Sequence, residues 1–137
     1  MKISIKALLI ISALSTSAMS YEVANIGDAN TMVCSYSHTI NNSRQTTLPE
    51  FERKVSYMKV RQGGKIIIAP KGTKYAYDWV DDDGVMRYKS TNGKYKMLVY
   101  PTERGQSVTG RMHNYTRIIV GSDNTKKFAS GSCRLEG

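Results

Sequence analysis

The sequence is poor in the residue types on which most metal, nucleotide and catalytic sites depend. Its 137 residues include only two cysteines and two histidines, and the cysteines form no CxxC pair. His38 and His113 fall in separate predicted strands, so a structural zinc site is not expected. The chain also has no P-loop, no G-x-G-x-x-G motif and no nucleophile-elbow motif, the signatures of nucleotide-binding domains and α/β hydrolases. We therefore predict no metal, no cofactor and no catalytic residue.

Long apolar runs are also missing, and the one short run has a different meaning. The run Ala7–Leu14 is too short to cross about 30 Å of hydrocarbon. It follows Lys2 and Lys6 and is followed by small residues up to Ser20. This three-part pattern is typical of a secretory signal peptide, with cleavage near Ser20. We predict that residues 1–20 are removed and that the mature protein is periplasmic or secreted, with no membrane span.

Acidic residues are the scarcer charge. The whole chain has 20 Lys and Arg against 11 Asp and Glu, and without the two lysines of the signal peptide the net charge is +7. A basic balance favours anionic partners. The mature chain has room for one ordinary domain. Residues 21–30 are polar and patternless, which predicts a flexible arm, and residues 31–137 form the single predicted domain.

The two cysteines lie near opposite ends of that domain. In an exported protein a lone pair of cysteines most often forms a disulfide. Cys34 and Cys133 would then join the first predicted strand to the last. The closed loop of roughly 100 residues would contribute up to about 4.7 kcal/mol in the chain-entropy model.

Tight-turn sequences separate short runs of Val, Ile, Tyr and Thr along the whole domain. No window of 11 residues has a helical period, and only Leu48–Lys54 suits a single helical turn. The sequence therefore predicts an all-β fold, a small antiparallel barrel or sandwich of seven to eight strands. The turn sequences are Asn41-Asn42-Ser43, Gly63-Gly64, Asp83-Gly84, Asn92-Gly93 and Gly121–Asn124.

The middle of the chain reads as a three-stranded meander over residues 75–100. A turn centred on Asn92-Gly93 opposes Tyr88 to Met97 and Met86 to Val99. Because side chains alternate along a strand, one aromatic and methionine face is predicted to be core. Its members are Tyr77, Trp79, Met86, Tyr88, Tyr95, Met97 and Val99.

The opposite face of the meander is basic. An exposed sheet face with several cations is a candidate anion-binding surface. Nucleic acid is a poor fit, because the aromatic side chains that would stack on bases lie on the core face. The cations of this face are Arg87, Lys89, Lys94 and Lys96.

The aspartates of "DWVDDDGVMRY" suggest a Ca²⁺ loop at first sight. With Gly84 at position 6 of an EF-hand, Asp81 and Asp83 fall at positions 3 and 5. Position 1 is then Trp79 and position 12 is Ser90, so two required oxygen ligands are missing. We predict a solvated hairpin turn without a metal.

The segment "KGTKY", residues 71–75, precedes the predicted strand that contains Trp79. We predict that it lies in an exposed loop. Its Gly72-Thr73-Lys74-Tyr75 resembles the Ser-Gly-x-x-Tyr loop of the small exported inhibitors of C-type lysozymes. The signal peptide, the predicted barrel and the cysteines of "MVCSYS" and "SGSCRLE" are similar to that family as well. The chain departs from the motif where Lys71 replaces the family's serine.

This resemblance implies a binding protein rather than an enzyme. The expected function is an inhibitor or immunity-type protein against a cell-wall-degrading hydrolase, with Lys71, Gly72, Lys74 and Tyr75 as contact residues. The alternative is a lipocalin-like carrier of a small ligand, or a binder of an anionic polymer through the basic sheet face. A third possibility is an enzyme. Carboxylates that a glycosidase could use are present at Glu50, Glu52 and Glu103, although no spacing singles out a pair.

Overall fold

The computed structural model describes Ile26, residues 29–106 and residues 112–137. The predicted signal peptide, residues 1–20, lies outside these described residues. No helix in the described part of the chain combines the length and the hydropathy that a transmembrane helix requires.

The described residues form ten strands and two short 3-10 turns. One 3-10 turn, Glu50–Glu52, confirms the helical turn predicted within Leu48–Lys54. The other, Gln62–Gly64, makes the predicted Gly63-Gly64 turn. The strands are β1 (Thr31–Asn41), β2 (Arg44–Thr47), β3 (Val55–Arg61), β4 (Ile66–Ile68), β5 (Lys74–Val80), β6 (Met86–Ser90), β7 (Lys96–Val99), β8 (Glu103–Gln106), β9 (Met112–Ser122) and β10 (Lys127–Glu136).

All strand pairs are antiparallel, and they close on themselves. The order is β10-β1-β3-β4-β5-β6-β7-β9, and β9 pairs with β10 to complete the ring. The strand β8 continues β7 along the same partner, β9, while β2 precedes β3 along β1. The ring therefore has eight strand positions, and the predicted choice between barrel and sandwich is resolved as a barrel. Closure gives each of the eight ring strands a hydrogen-bonded neighbour on both sides, while β2 and β8 each pair on one side only among the described residues.

The disulfide is formed as predicted. Cys34 on β1 lies opposite Cys133 on β10, and a bond joins their sulfurs. Both side chains are buried. The bond joins the first and last strands at the point where the ring closes.

Large side chains from every strand position meet inside the barrel. An eight-stranded barrel is just wide enough to be filled by its own side chains. Ile26, within the segment 21–30 that the sequence indicates as an arm, is also buried in this cluster. The interior residues include Met32, Met58, Val60, Ile67, Tyr75, Met86, Tyr88, Met97, Val99 and Ile118.

The register predicted around the Asn92-Gly93 turn is confirmed. Tyr88 lies opposite Met97 and Met86 lies opposite Val99, with all four side chains buried. Tyr95 was predicted to be core, and this is wrong. It lies between the Asn92-Gly93 turn and the start of β7 and is 42% exposed.

The prediction for Trp79 is also wrong, because β5 contains a bulge. Tyr77 lies opposite Tyr88 as predicted, but Trp79 lies opposite Arg87 and Val80 opposite Met86. One extra residue in β5 therefore reverses the alternation and turns Trp79 to the outside. Tyr77 lies beside the Tyr88 ring, in an edge-on contact of 5.8 Å, but it is 37% exposed, so the prediction that it is core is wrong as well.

Candidate functional site

The predicted contact loop is a tight turn between β4 and β5. The Ala69 N–H donates to the Thr73 carbonyl at 2.9 Å, and the Gly72 N–H donates to the Ala69 carbonyl at 2.9 Å. Gly72 has φ of +93°, a conformation that a residue with a Cβ rarely adopts. Lys71, Gly72 and Lys74 are all exposed. The turn therefore presents two ammonium groups on a short, hydrogen-bonded backbone.

The β6–β7 turn lies beside this loop and is braced by side chains. Asn92 Oδ1 accepts from the Lys94 N–H at 3.0 Å and from Ser90 Oγ at 2.6 Å. The Tyr95 N–H donates to Ser90 Oγ at 3.0 Å. The Thr91 N–H donates to the backbone carbonyl of residue 74 at 3.0 Å. This last bond joins the two turns into one platform.

We call this platform the basic end, formed by Lys71, Lys74, Lys94 and Tyr95. In the part of the chain that the structure describes, no carboxylate lies within 4.0 Å of the three lysine nitrogens. The lysines are exposed, and their charges are therefore neutralised by solvent alone. The structure brings Lys94, which the sequence assigns to the sheet face, together with the two lysines of the predicted contact loop.

Tyr75, the fourth predicted contact residue, lies inside the barrel. It is only 5% exposed, so it packs in the core beneath the basic end and presents little surface to a partner. Burial raises the pKa of the Tyr75 phenol, and the neighbouring Tyr95 raises it further. The residue that the basic end exposes in its place is Tyr95.

The predicted anion-binding sheet face is differently arranged. Arg87 pairs with Asp81 at 3.2 Å, Lys89 contacts Asp78 at 3.9 Å, and Lys96 pairs with Asp123. Three of the four cations named for this face therefore have a carboxylate partner. The fourth, Lys94, lies at the basic end. A polyanion would have to compete with these carboxylates, which makes the sheet face the weaker anion site.

The aspartate turn is held by its own side chain and by Arg87. Asp81 Oδ1 accepts from the Asp83 N–H at 3.0 Å and from the Val85 N–H at 3.1 Å. The Arg87 guanidinium also lies 4.8 Å from the centre of the Trp79 ring. Desolvation acts to raise the pKa of Asp81, but hydrogen bonds from Val85, Arg87 and Asp83 outweigh it and lower that pKa. The Asp81 carboxylate therefore stabilises the turn through these hydrogen bonds and its ion pair with Arg87.

Among residues 29–106 and 112–137, no three His, Cys, Asp or Glu side chains are close enough to hold a metal ion together.

The structure has a second candidate surface that the sequence does not predict. The outer faces of β3, β1, β10 and β9 carry a groove with two adjoining cavities of about 460 and 440 Å³. Both cavities are lined by Tyr115 and Ser132. Strand alternation predicts that these side chains face outward. Only the pairing of strands distant in sequence shows that they lie side by side. We call this the tyrosine groove, with principal residues Tyr57, Tyr100, Tyr115, Arg117, Ser132 and Arg134.

Comparison with known proteins adds no relative. No model of a known protein family matches the chain, and no curated protein matches it significantly in sequence. Function is therefore argued from the surfaces described above.

Proposed function

We propose that the protein is an exported, non-catalytic binding protein that inhibits a cell-wall-degrading hydrolase such as a lysozyme. The observation that carries the proposal is the charge state of the basic end. Lys71, Lys74 and Lys94 are exposed and have no carboxylate partner among the described residues, whereas most cations of the sheet face are paired. Unpaired cations on a projecting turn are available to an acidic partner.

Glycoside hydrolases supply a suitable acidic surface. Most of them act through two carboxyl groups that face each other across the substrate cleft. An ammonium group placed between those carboxyls would pair with them and exclude the substrate. The hydrogen bonds within and between the two turns hold the lysine-bearing backbone in place before binding, which lowers the entropy cost of association.

The resemblance to the lysozyme inhibitors points to the same contact site, because the matching segment, Gly72 to Tyr75, begins in the turn that forms part of the basic end. The Gly-x-x-Tyr segment places its glycine at the tip of the exposed turn and its tyrosine in the core beneath it. Lys71 occupies the position of the family's serine, directly before Gly72. A cation at this position suits a target whose cleft is more acidic than the surface around it, because the net charge of +7 repels a strongly basic target.

The test is an inhibition assay with the mature chain, residues 21–137. A panel of lysozymes of different classes and net charges would be assayed on a soluble cell-wall substrate. We expect inhibition at micromolar protein, with the strongest effect on the most acidic enzymes. In Lys71→Ala/Lys74→Ala, the concentration needed for half inhibition should rise about tenfold or more, because the carboxyls of the target lose their paired charge.

The matched control is Lys89→Ala/Lys96→Ala. This double variant removes the same charge, but from lysines that contact Asp78 and Asp123 on the sheet face. It should inhibit as well as the parent protein does. The proposal is wrong if no lysozyme class is inhibited at micromolar protein, or if both double variants lose inhibition equally, because net charge alone would then account for the effect.

A further inference from the structure

The strand register sets the two sides of the tyrosine groove. Tyr57 on β3 lies opposite Val33 on β1. Val33 in turn lies opposite Arg134 on β10, and Arg134 lies opposite Tyr115 on β9. Neighbouring strands are about 4.8 Å apart, so the Tyr57 and Tyr115 positions are separated by about 14 Å. The row thus has an aromatic ring at each side, with an apolar and a cationic side chain between them.

The next row along the strands has two serines at its centre, between Val55 on β3 and Arg117 on β9. Ser35 lies opposite Ser132, and Ser132 lies opposite Arg117. Because the side chains of these two neighbouring serines are short, they form the floor of the groove between larger side chains and supply hydroxyl groups there. Ser132 and Tyr115 line both cavities, so the two spaces form one continuous groove across the strands.

Charge in the groove is nearly balanced. Arg134 donates to Glu136, at 2.7 Å from Nη2 and 2.8 Å from Nε. The Arg117 guanidinium lies 4.5 Å from the centre of the Tyr100 ring. Glu103 adds a carboxylate to the lining. A polyanion binds through cations that are free to neutralise its phosphates or sulfates. Because the cations of this groove are balanced by nearby carboxylates, we expect a polyanion to bind here only weakly.

We propose that the tyrosine groove binds an oligosaccharide of neutral or N-acetylated hexoses. A hexose ring has an apolar face of C–H groups, which packs on a flat aromatic ring, and a rim of hydroxyl groups, which requires donors and acceptors. The groove supplies both kinds of partner, with rings at Tyr57, Tyr100 and Tyr115 and polar groups at Ser132 and Arg117. The site is separate from the basic end and goes beyond the proposed inhibition of a hydrolase.

Calorimetric titration of the mature chain tests this site. The probes are a hexamer of N-acetylglucosamine and a hexamer of β-1,4-linked glucose, with heparin and a thymidine oligonucleotide as anionic comparisons. We expect one or both neutral hexamers to bind and the two polyanions to bind more weakly at physiological salt. Tyr57→Ala should weaken hexamer binding about fivefold by removing one stacking surface. Because Tyr57 is 65% exposed, the variant should keep its melting temperature.

Tyr95→Ala is the matched control, since Tyr95 is an exposed tyrosine at the basic end. It should bind the hexamers as the parent does, while Tyr57→Ala should inhibit a sensitive hydrolase as the parent does. The two sites therefore fail independently. Two results overturn the glycan proposal. One is the absence of hexamer binding at millimolar ligand, and the other is polyanion binding that Tyr57→Ala abolishes.

Discussion

Arg87 is the residue on which the β5–β6 hairpin depends for its shape. Its guanidinium pairs with Asp81 on one side and covers the Trp79 ring on the other. Asp81 in turn accepts two backbone N–H groups of the turn. The bulge in β5 brings Trp79 to this position, so the tryptophan belongs to the outer surface.

Trp79 is the only tryptophan of the chain, and its fluorescence therefore tests this placement. With half of the residue exposed, the emission of the folded protein should resemble that of indole in water and should be quenched by acrylamide. Arg87→Ala should increase the quenching and lower the free energy of unfolding by about 1 kcal/mol, through the lost ion pair and cation–π contact. Lys89→Ala is the control and should change neither quantity. A blue-shifted, protected emission would instead mean that Trp79 is in the core and that the bulge is absent.

At the scale of strands, the pairing of β1 with β10 closes the barrel. The two strands lie so close together at Gly131 that a larger side chain does not fit there. β1 has an irregularity between Tyr36 and His38, and Gly131 of β10 lies opposite Tyr36 at this point. A Cβ added to Gly131 would collide with the Ser35 carbonyl oxygen and would lie 2.8 Å from Tyr36 Cα. Both contacts are with backbone, so the strands themselves would have to separate.

We therefore expect Gly131→Ala to destabilise the protein strongly. The cost should be about 3 kcal/mol, which corresponds to a fall in melting temperature of roughly 10 °C. Ser132→Ala, at the adjacent exposed position, should melt within a few degrees of the parent. Differential scanning calorimetry of both variants provides the measurement. A Gly131→Ala protein as stable as the parent would show that the close approach of β1 and β10 is relieved in solution.

The strands also show how far sequence patterns reach. The Asn92-Gly93 turn predicts its hairpin correctly, because turn type fixes register within a local pair. The sequence does not predict the bulge at Asp78, because one extra residue in a strand leaves no mark in composition and yet reverses the orientation of every later side chain. Tyr95 was misplaced for another reason: alternation gives the face of a strand, but not the residue at which the strand begins.

At the scale of the whole molecule, the meeting of the first and last strands could be predicted, whereas the choice of a barrel over a sandwich and the grouping of surface residues could not. Two cysteines near the ends of a predicted β domain indicate that its first and last strands meet, and the bond between Cys34 and Cys133 joins these strands. The basic end unites lysines from turns about 20 residues apart in sequence, and the tyrosine groove unites strands from both ends of the chain. Such groupings depend on which strands become neighbours, and a single sequence specifies this only through the folded barrel.

The barrel as a whole holds several phenols in their neutral form. Burial, with a smaller contribution from Tyr75 and against a Ser56 hydrogen bond, raises the pKa of Tyr36 to about 12. Burial and the nearby Tyr77 raise the pKa of Tyr88, whose hydroxyl donates to the Gly64 carbonyl at 2.6 Å. Burial also raises the pKa of Tyr75, as described above.

These shifts predict a loss of stability in alkaline solution. Tyrosine in the unfolded chain ionises near pH 10. A group with a raised folded pKa contributes its full stabilisation below that pH and loses it as the pH rises toward the folded pKa. The free energy of unfolding in guanidinium chloride should therefore be flat up to about pH 9 and should fall steeply between about pH 10 and 12.

Tyr88→Phe identifies the source of this loss. The variant should lose about 1 kcal/mol at pH 7 with the hydrogen bond to Gly64, and its stability should then fall less steeply above pH 10 than that of the parent. Tyr57→Phe changes an exposed ring and should follow the parent curve throughout. Phenolate absorbance recorded on the same samples should rise together with unfolding. If Tyr36, Tyr75 and Tyr88 ionise near pH 10 while the barrel remains folded, these side chains are more accessible to water than the structure places them.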